Sequence, residues 1–306
     1  MLIGFGVPLS GTWATPEVQR AVVRRAEELG YHSVWTFQRL LTPAAAQDGR
    51  WDEVYQSVQD PIVSLAYLAG LTERVRLGVA VMNIPFMSPV VLAKQLTTLD
   101  LVSHGRLDLG LGLGWAKEEF VAAGASFPHR GRRAEEFIAA LRAIWTRPVT
   151  EFRGEFYEIP ASRVEPKPAQ HPHPPILLGG NAPPALRRAG RISDGWISSS
   201  RADLTTIGES IQVVRQAAEE AGRDASALRF LCRGVVQVRP GGAAGRRLLT
   251  GSVEEIRADF DVVSASGVTE LFIDLNYDPQ IASREADAEQ SLRRAEEALV
   301  AFAPSR

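Results

Sequence analysis

The sequence predicts a (β/α)8 barrel, in which eight parallel strands alternate with helices in one α/β domain. Eight short apolar runs alternate with stretches of helical periodicity along the chain. Parallel strands require crossover connections, which helices supply, and 306 residues are enough for eight such units. We therefore expect a single barrel domain over residues 1–306; an open, doubly wound sheet is the alternative fold.

The predicted strands are runs of apolar residues that end in polar or glycine-containing sequence. They cover residues 2–7, 33–37, 76–82, 107–113, 176–181, 195–199, 228–238 and 271–274. The first connecting helix starts near Pro16, with Thr15 as its N-cap, and ends at Gly30. The other helices are predicted at 61–71, 89–102, 116–120, 133–145, from 183 onward, 203–221, 253–266 and 284–302.

Two segments interrupt this alternation. The loop over residues 40–59 is long, and long loops in compact domains are commonly functional, so residues 42–60 are expected to help roof a pocket. Residues 150–175 form an insertion, in which 150–157 alternate as a hairpin does and the proline-rich 160–175 should run extended outside the core. Of the insertion's histidines, His171 and His173, the second is expected to be a solvated loop residue.

Composition excludes several classes of function. The 34 basic and 36 acidic residues give a formal charge of -2, which provides no overall attraction to nucleic acid or to an anionic membrane. No apolar stretch approaches the roughly 18 residues of a membrane helix, and the first residues do not resemble a signal peptide. Cys232 is the single cysteine, and no histidine, cysteine or carboxylate cluster has metal-site spacing. We expect a cytoplasmic protein that acts on a small molecule.

The fourth predicted strand is unusual because glycine occupies several of its positions. Leucines alternate over 107–113, whereas Gly110, Gly112 and Gly114 have no side chain to pack. Another backbone or a flat ligand is expected to come close there. A crowded barrel interior and a cofactor ring at the end of the strand both remain open as explanations. No GxGxxG dinucleotide fingerprint is present.

The active site of such a barrel lies at the carboxyl ends of its strands. Those ends carry aromatic, amide and basic residues, and no GxSxG nucleophile elbow. Gly179, Gly180 and Asn181 precede a helix, so their N–H groups and the helix terminus predict a phosphate site; a simple tight turn is the alternative. The full set of strand-end candidates is Pro8, Trp13, Gln38, Arg39, residues 80–83, Gly114, Trp115, residues 179–181 and residues 198–201.

Short segments spread over nearly the whole chain carry a family resemblance. They are LGYHSVW at 29–35, AKQLTTLD at 93–100, SHGRL at 103–107, GLGW at 112–115, EPKP at 165–168, LGGN at 178–181 and DGW at 194–196. In this order they resemble the bacterial luciferase-like monooxygenase superfamily, and most closely its deazaflavin (coenzyme F-420)-dependent oxidoreductases.

The resemblance implies a luciferase-like barrel with a deazaflavin, or alternatively FMN, at its mouth, and relatives that are commonly homodimers. It places the ring beside the third and fourth strands and the phosphate near residues 179–181. It also implies a bulge with a non-proline cis peptide at Ala80–Val81. The candidate cofactor-binding residues are Ala80, Val81, Asn83, Gly114, Gly179, Gly180, Asn181, Ser198, Ser199 and Arg201, and the candidate catalytic residues are Gln38, Arg39 and Trp115.

One departure from the family concerns proton transfer. Many relatives end the second strand with Asp-His, where this chain has Gln38 and Arg39. Arg39 is expected either to neutralise an anionic substrate or the reduced ring, or to pair with Asp48 or Asp52. Further arginines are expected to meet the polyglutamate tail of the deazaflavin, although roughly half should have no ligand role. They are Arg130, Arg132, Arg133, Arg187, Arg188 and Arg201.

Three functional hypotheses follow from the strand ends and the resemblance. The first is an oxidoreductase that moves hydride between the deazaflavin and an unidentified organic substrate. The second is an FMN-dependent luciferase-like monooxygenase. The third is a flavin-binding barrel without catalytic activity.

Overall fold

The computed structural model describes residues 1–44 and 51–304, and its main sheet is a closed parallel barrel. Eight strands close it in the order β1-β2-β3-β4-β7-β8-β9-β12, and β12 pairs with β1. The barrel prediction is therefore confirmed, and the open-sheet alternative is wrong. The strands are β1 (Leu2–Gly6), β2 (Ser33–Thr36), β3 (Arg76–Asn83), β4 (Leu107–Gly112), β5 (Thr150–Arg153), β6 (Glu158–Ser162), β7 (Ile176–Gly179), β8 (Gly195–Ile197), β9 (Arg229–Val235), β10 (Gln237–Val238), β11 (Thr250–Gly251) and β12 (Glu270–Asp274).

Helices cover the outside of the barrel and bury their apolar faces against it. Thr15 caps the first of them, as predicted, because its Oγ1 accepts the N–H of Val18 at 3.3 Å. No helix in the described ranges is long and apolar enough to cross a membrane. The helices are α1 (Pro16–Glu28), α2 (Pro61–Ala69), α3 (Pro89–Val102), α4 (Lys117–Ala122), α5 (Arg130–Thr146), α6 (Pro183–Ile192), α7 (Ile207–Glu220), α8 (Val253–Ala265), α9 (Pro279–Ala282) and α10 (Ala288–Ala301), with 3₁₀ turns at Glu53–Gln56, Ile84–Phe86 and Ala225–Ala227.

Some predicted boundaries were wrong. The second hairpin strand is β6, beyond the predicted 150–157, because the Glu136 carboxylate accepts three backbone N–H groups at 155–157 and fixes a turn there. Helix α5 begins three residues earlier than predicted. The seventh barrel strand ends at Val235, since residues 237–238 pair with β11 instead. Asp287 caps α10 through the N–H of residue 290, so this helix starts later than 284.

A buried polar cluster closes the amino-terminal end of the barrel. Asp108 accepts hydrogen bonds from Arg76 and Arg229, with closest N–O distances of 2.8 and 2.7 Å. Arg229 also binds Glu270 at 2.8 Å. Burial acts to raise the pKa of Asp108, but the hydrogen bonds and charges of the two guanidinium groups bring that pKa below its ordinary value. Asp108 is therefore held as an anion between two cations.

An apolar layer fills the lumen above this cluster. Trp35 and Phe272 stack with ring centroids 5.7 Å apart, and Leu231 packs beside them. Gly78 makes room for Trp35, because a Cβ at that position would lie 2.3 Å from its ring. This layer fills the lumen, and the cavity lies on its other side, at the carboxyl ends of the strands.

Strand β3 bulges at its carboxyl end. Its register with β4 shifts between Val79 and Met82, and the Ala80–Val81 peptide is cis. Both features implied by the family resemblance are therefore confirmed. The bulge leaves Val81 half-buried at the mouth of the barrel.

Candidate active site

A cavity of about 960 Å³ opens at the carboxyl ends of the barrel strands. Strands β3, β4 and β7 contribute to its lining, as do the loops after them and Tyr55 from the long loop at 40–59. The structure thus brings the predicted catalytic and cofactor-binding residues together around one space. Those lining the cavity are Gln38, Arg39, Ala80, Val81, Asn83, Gly114, Trp115, Gly179, Gly180, Asn181, Ser198, Ser199 and Arg201.

Pro8 and Trp13, which follow β1, do not line this cavity, and their prediction as site residues was wrong. Trp13 has no exposed surface and belongs to the apolar core. The Pro8 carbonyl accepts the side-chain amide of Gln19 at 2.7 Å. The loop folds inward because its apolar side chains find more burial in the core than at the mouth.

The floor of the cavity is built around Val81. A Cβ at Gly112 would lie 2.5 Å from its Cγ2, and one at Gly179 would lie 3.2 Å from its Cγ1. Gly110 has a different role, since a Cβ there would lie 2.2 Å from the backbone oxygen of Val79. The glycines of β4 therefore serve both of the expected purposes: Gly110 permits crowding inside the barrel, and Gly112 keeps the floor flat.

Gln38 acts as a brace at the edge of the floor. Its Oε1 accepts the backbone N–H of Asn83 at 2.8 Å, and both residues are buried. The side-chain amide of Asn83 forms no hydrogen bond with the described part of the chain and lines the cavity. The side-chain amide of Asn83 can therefore offer a ligand both a hydrogen-bond donor and an acceptor at the edge of the apolar floor.

Arg39 forms a buried ion pair that the sequence analysis missed. Its Nη2 lies 2.8 Å from Oε2 of Glu119, and Oε1 of Glu119 accepts the N–H of Leu40 at 2.7 Å. Burial raises the pKa of Glu119, although Arg39 and these hydrogen bonds oppose the rise. Of the two predicted partners, Asp48 lies outside the described residues, and Asp52 pairs with Arg201 at 2.8 Å.

Aromatic rings surround the guanidinium of Arg39. Its Cζ lies 4.9 Å from the ring centroid of Tyr55, 5.0 Å from that of Trp115 and 5.6 Å from that of Trp51. Trp115 is 37% exposed and lies 5.0 Å from Trp51, centroid to centroid. We call these three rings the aromatic cage of Arg39. Through Trp51 and Tyr55, the predicted roof loop does reach the mouth.

Arg233 is a second buried cation that the sequence analysis missed. Its Nε donates to Oδ2 of Asp274 at 2.7 Å, and its Nη1 donates to the carbonyl of Ala80 at 3.1 Å. Burial opposes its charge, but Tyr277 and Asp274 raise the pKa of Arg233 above its ordinary value. An arginine inside the apolar run of β9 was the available signal, because a charge in a buried strand requires a partner.

The loop at Gly179–Asn181 makes the expected turn from strand to helix. Gly180 has a φ of +127°, which glycine tolerates best. Pro183 and Pro184 occupy the first turn of α6 and lack N–H groups, so the helix offers fewer donors than expected. The N–H groups of residues 181 and 182 donate to no group in the described ranges and remain as anion donors.

The amino terminus of α5 adds positive charge to the same cavity. Arg130 lines it and lies 3.9 Å from the ring centroid of Phe127. The first turn of α5 has no acidic residue, and α-helix amino termini attract anions. We call Arg130 and the loop at 180–182 the anion lobe.

Most of the other predicted cations are already engaged. Arg188 lies 3.0 Å from Glu135, and Arg132 lies 2.8 Å from Glu155. The Cζ of Arg133 lies 4.6 Å from the ring centroid of Phe156. Arg130 and Arg187 have no carboxylate partner within the described part of the chain.

Neither the serines nor the histidines supply an obvious reactive group. Ser198 is buried, and its Oγ accepts the backbone N–H of Arg233 at 2.9 Å, whereas Ser199 is exposed. His173 is half-buried, not solvated as expected, because it packs against Trp145 with ring centroids 5.8 Å apart. Within residues 1–44 and 51–304, no group of three or more histidine, cysteine or carboxylate side chains could hold a metal ion.

The family model of the luciferase-like monooxygenases matches residues 3–303. The chain belongs to this family. Luciferase-like monooxygenases and oxidoreductases are enzymes, and the relatives below are named as users of FMN or of F-420.

Three proteins with similar sequences are examples of this family relationship. An uncharacterized protein of Mycobacterium tuberculosis is 33% identical over 213 residues, which span 67% of this chain and 74% of that protein. The FMNH(2)-dependent dimethylsulfone monooxygenase of Pseudomonas putida is 37% identical over 174 residues, or 56% of this chain and 46% of that enzyme. The F-420-dependent glucose-6-phosphate dehydrogenase of Amycolatopsis mediterranei is 29% identical over 202 residues, or 64% and 58%.

Solved structures show the same fold at lower identity. The monooxygenase RslO1 from Streptomyces bottropensis has a TM-score of 0.79 and 23% identity, with 99% of this chain and 98% of that chain covered. An F-420-dependent secondary alcohol dehydrogenase has a TM-score of 0.76 and 18% identity, with 98% of each chain covered. These likenesses extend over the whole barrel.

Proposed function

We propose that this chain is an oxidoreductase that transfers hydride between the deazaflavin coenzyme F-420 and a small organic substrate. One observation carries the proposal: a single cavity joins an apolar floor suited to a flat ring with an anion lobe suited to a phosphate. Membership in a family with F-420-dependent and FMN-dependent members supports a cofactor of this type.

The residues present fit such a cofactor. Val81, Gly112 and Gly179 form a floor without polar side chains, and the Asn83 amide lies at its edge. The N–H groups at 181–182 would hold the phosphate, and Arg130 lines the cavity beside them. When bound, a deazaflavin supplies a carbon that donates or accepts hydride. The protein's own contribution is to orient the reactants, exclude water and supply protons.

The choice of deazaflavin over FMN depends on positive charge beyond the phosphate. The anionic tail of F-420 can bind cationic side chains beyond the phosphate site, whereas FMN has no anionic group there. Arg130 and Arg187 remain without carboxylate partners in the described ranges, so they are the candidates for that tail. An FMN-dependent monooxygenase is the second candidate function, because the relative from Pseudomonas putida is 37% identical over its matched region.

Titration of the apo-protein with each cofactor at several salt concentrations tests the proposal. We expect F-420 to bind more tightly than FMN, with an affinity that falls as salt rises. Arg130→Gln should weaken F-420 binding about tenfold, which corresponds to about 1.4 kcal/mol, and should reduce the salt dependence. Arg132→Gln is the matched control, since Arg132 lies in the same turn but pairs with Glu155 and does not line the cavity.

Tighter binding of FMN, or an F-420 affinity that is insensitive to salt, would favour the FMN-dependent monooxygenase instead. The non-catalytic alternative is tested by single-turnover oxidation of the reduced cofactor. A protein that binds F-420 but transfers no hydride to any of a panel of aldehydes, ketones and enones would be a binding barrel.

A further inference from the structure

Two tyrosines, Tyr55 and Tyr277, lie in contact in the wall of the cavity. The hydroxyl of Tyr277 donates to the hydroxyl of Tyr55 at 3.1 Å, and their rings lie edge to face, with centroids 6.1 Å apart. Both tyrosines line the cavity. The Tyr55 hydroxyl donates to no acceptor among the residues that the structure describes, so its proton is available to a ligand.

We propose that Tyr55 is the general acid that protonates the oxygen of an aldehyde or ketone substrate, and that Tyr277 is the positioning residue that holds the Tyr55 hydroxyl. This inference rests on the proposed hydride transfer. The carbonyl carbon gains a hydride from the reduced deazaflavin, which is oxidised by two electrons. As the C–H bond forms, the carbonyl π pair moves to oxygen and takes the proton from Tyr55. In the reverse direction the tyrosinate removes the proton of an alcohol.

The charges around the pair suit this role. The Cζ of Arg39 lies 4.9 Å from the Tyr55 ring centroid, and that of Arg233 lies 4.8 Å from the Tyr277 ring centroid. Arg201 interacts electrostatically with both tyrosines. Cations at this range stabilise the tyrosinate that proton donation creates. The carboxylates paired with these arginines are Glu119, Asp274 and Asp52.

Other groups in the cavity are less suited to protonate a substrate above the floor. Arginine does not release its proton, and the Gln38 amide is already a brace for Asn83. His129 lines the cavity but is exposed and adjoins Arg130 in the anion lobe. Tyr277 itself stays protonated, because burial raises its pKa, and so it can continue to donate to Tyr55.

A binding experiment tests the hydrogen bond without any turnover. The probe is 4-dimethylaminocinnamaldehyde, a chromophoric aldehyde whose absorption moves to the red when its carbonyl oxygen accepts a hydrogen bond. We expect a red shift with the wild-type protein and with Tyr67→Phe, and binding without the shift in Tyr55→Phe. Tyr67 is the matched control because it lies on α2, is 40% exposed and is not part of the cavity lining.

Single-turnover kinetics with bound F-420 test the proton transfer. Tyr55→Phe should slow reduction of the aldehyde about 100-fold, the lower end of general-acid effects, and should lose the solvent deuterium isotope effect on that step. Tyr277→Phe should slow it about tenfold and keep that isotope effect. Cofactor affinity, measured by titration, should stay within about twofold of wild type in both variants, given that Tyr55 and Tyr277 lie outside the anion lobe and the floor.

Several results would overturn the assignment. They are absence of aldehyde binding by the wild type, a red shift that survives Tyr55→Phe, and a loss of rate and of the solvent isotope effect in His129→Gln instead. A holoenzyme that binds F-420 but reduces no carbonyl compound would also overturn it. If F-420 fails to bind while the red shift still depends on Tyr55, the proposed cofactor is wrong and the hydrogen-bond assignment stands.

Discussion

Removing either partner of the Arg39–Glu119 pair should destabilise the protein, and the two substitutions should differ in their pH dependence. The side chains are 5% and 0% exposed, so whichever partner remains would be a buried charge without its counter-ion. Such losses cost about 3 to 5 kcal/mol. Glu119→Gln leaves a guanidinium, which cannot lose its proton, and its full cost should therefore persist at every pH.

Arg39→Met leaves a carboxylate, which can become neutral by taking up a proton. Burial already raises the pKa of Glu119 against the opposing effect of Arg39, and loss of Arg39 should raise it further. A carboxyl group whose folded pKa exceeds its unfolded value costs stability as pH rises between the two values. The Arg39→Met variant should therefore recover stability as pH falls, by at most about 1.4 kcal/mol per pH unit.

Equilibrium urea unfolding, followed by far-ultraviolet circular dichroism between pH 5 and pH 8, measures these differences. The double variant Arg39→Met/Glu119→Leu should lie near wild type, because apolar replacement of a buried pair is often neutral. Arg132→Gln, in an exposed pair, should change stability by less than about 1 kcal/mol. The reasoning is refuted if both single variants lie within about 1 kcal/mol of wild type, or if the Arg39→Met deficit is independent of pH.

Two further substitutions test the floor of the cavity and the closed end of the barrel. Asp108→Asn should cost about 3 to 5 kcal/mol in urea unfolding, because Arg76 and Arg229 lose the anion between them. Because the folded pKa of Asp108 is lowered, its contribution to the free energy of unfolding is complete above its unfolded pKa, near 4, and is lost as pH falls through the folded pKa. An Asp108→Asn variant whose stability falls with acid as much as that of wild type would contradict this. Gly112→Ala would place a Cβ 2.5 Å from Val81, so it should shift the floor and weaken cofactor binding at least tenfold, as measured by titration. Gly70→Ala is its control, since the nearest neighbouring atom would be 3.7 Å away, and equal affinity in both variants would rule out the assigned floor.

Local signals in the sequence were sufficient to predict the barrel. The order of apolar runs and helical patterns gave all eight barrel strands, and the helix at Pro89–Val102 matches its predicted bounds. The cap at Thr15 was predictable because its hydrogen bond joins residues only three positions apart, Thr15 and Val18. Errors arose where tertiary contacts decide the boundary, as at the hairpin turn fixed by Glu136. Periodicity carries no information about a carboxylate from a neighbouring helix.

The site was predictable only in part. The strand ends from β2 to β8 supplied candidates that do meet in one cavity, and the family resemblance supplied the bulge at Ala80–Val81. Glu119 was missed because it follows Arg39 by 80 residues and the two meet only in the fold. Arg233 and Tyr277 were not predicted, since the strand-end candidates stop after β8, whereas Arg233 lies in β9 and Tyr277 follows β12. Those strands complete the circle, so their ends face the same space as the first ones.

The hydrogen bond from Arg233 to the Ala80 carbonyl spans the barrel, because β9 and β3 lie on opposite sides of it. Asp274, on the neighbouring β12, fixes the guanidinium that makes this bond. The position of the floor is thus fixed by a hydrogen bond from the opposite strand, β9, and not by the loops above it. Substitutions at residues 51–60 that leave Tyr55 in place can consequently alter the entrance while the floor beneath stays in register, which separates the shape of the entrance from the position of the floor.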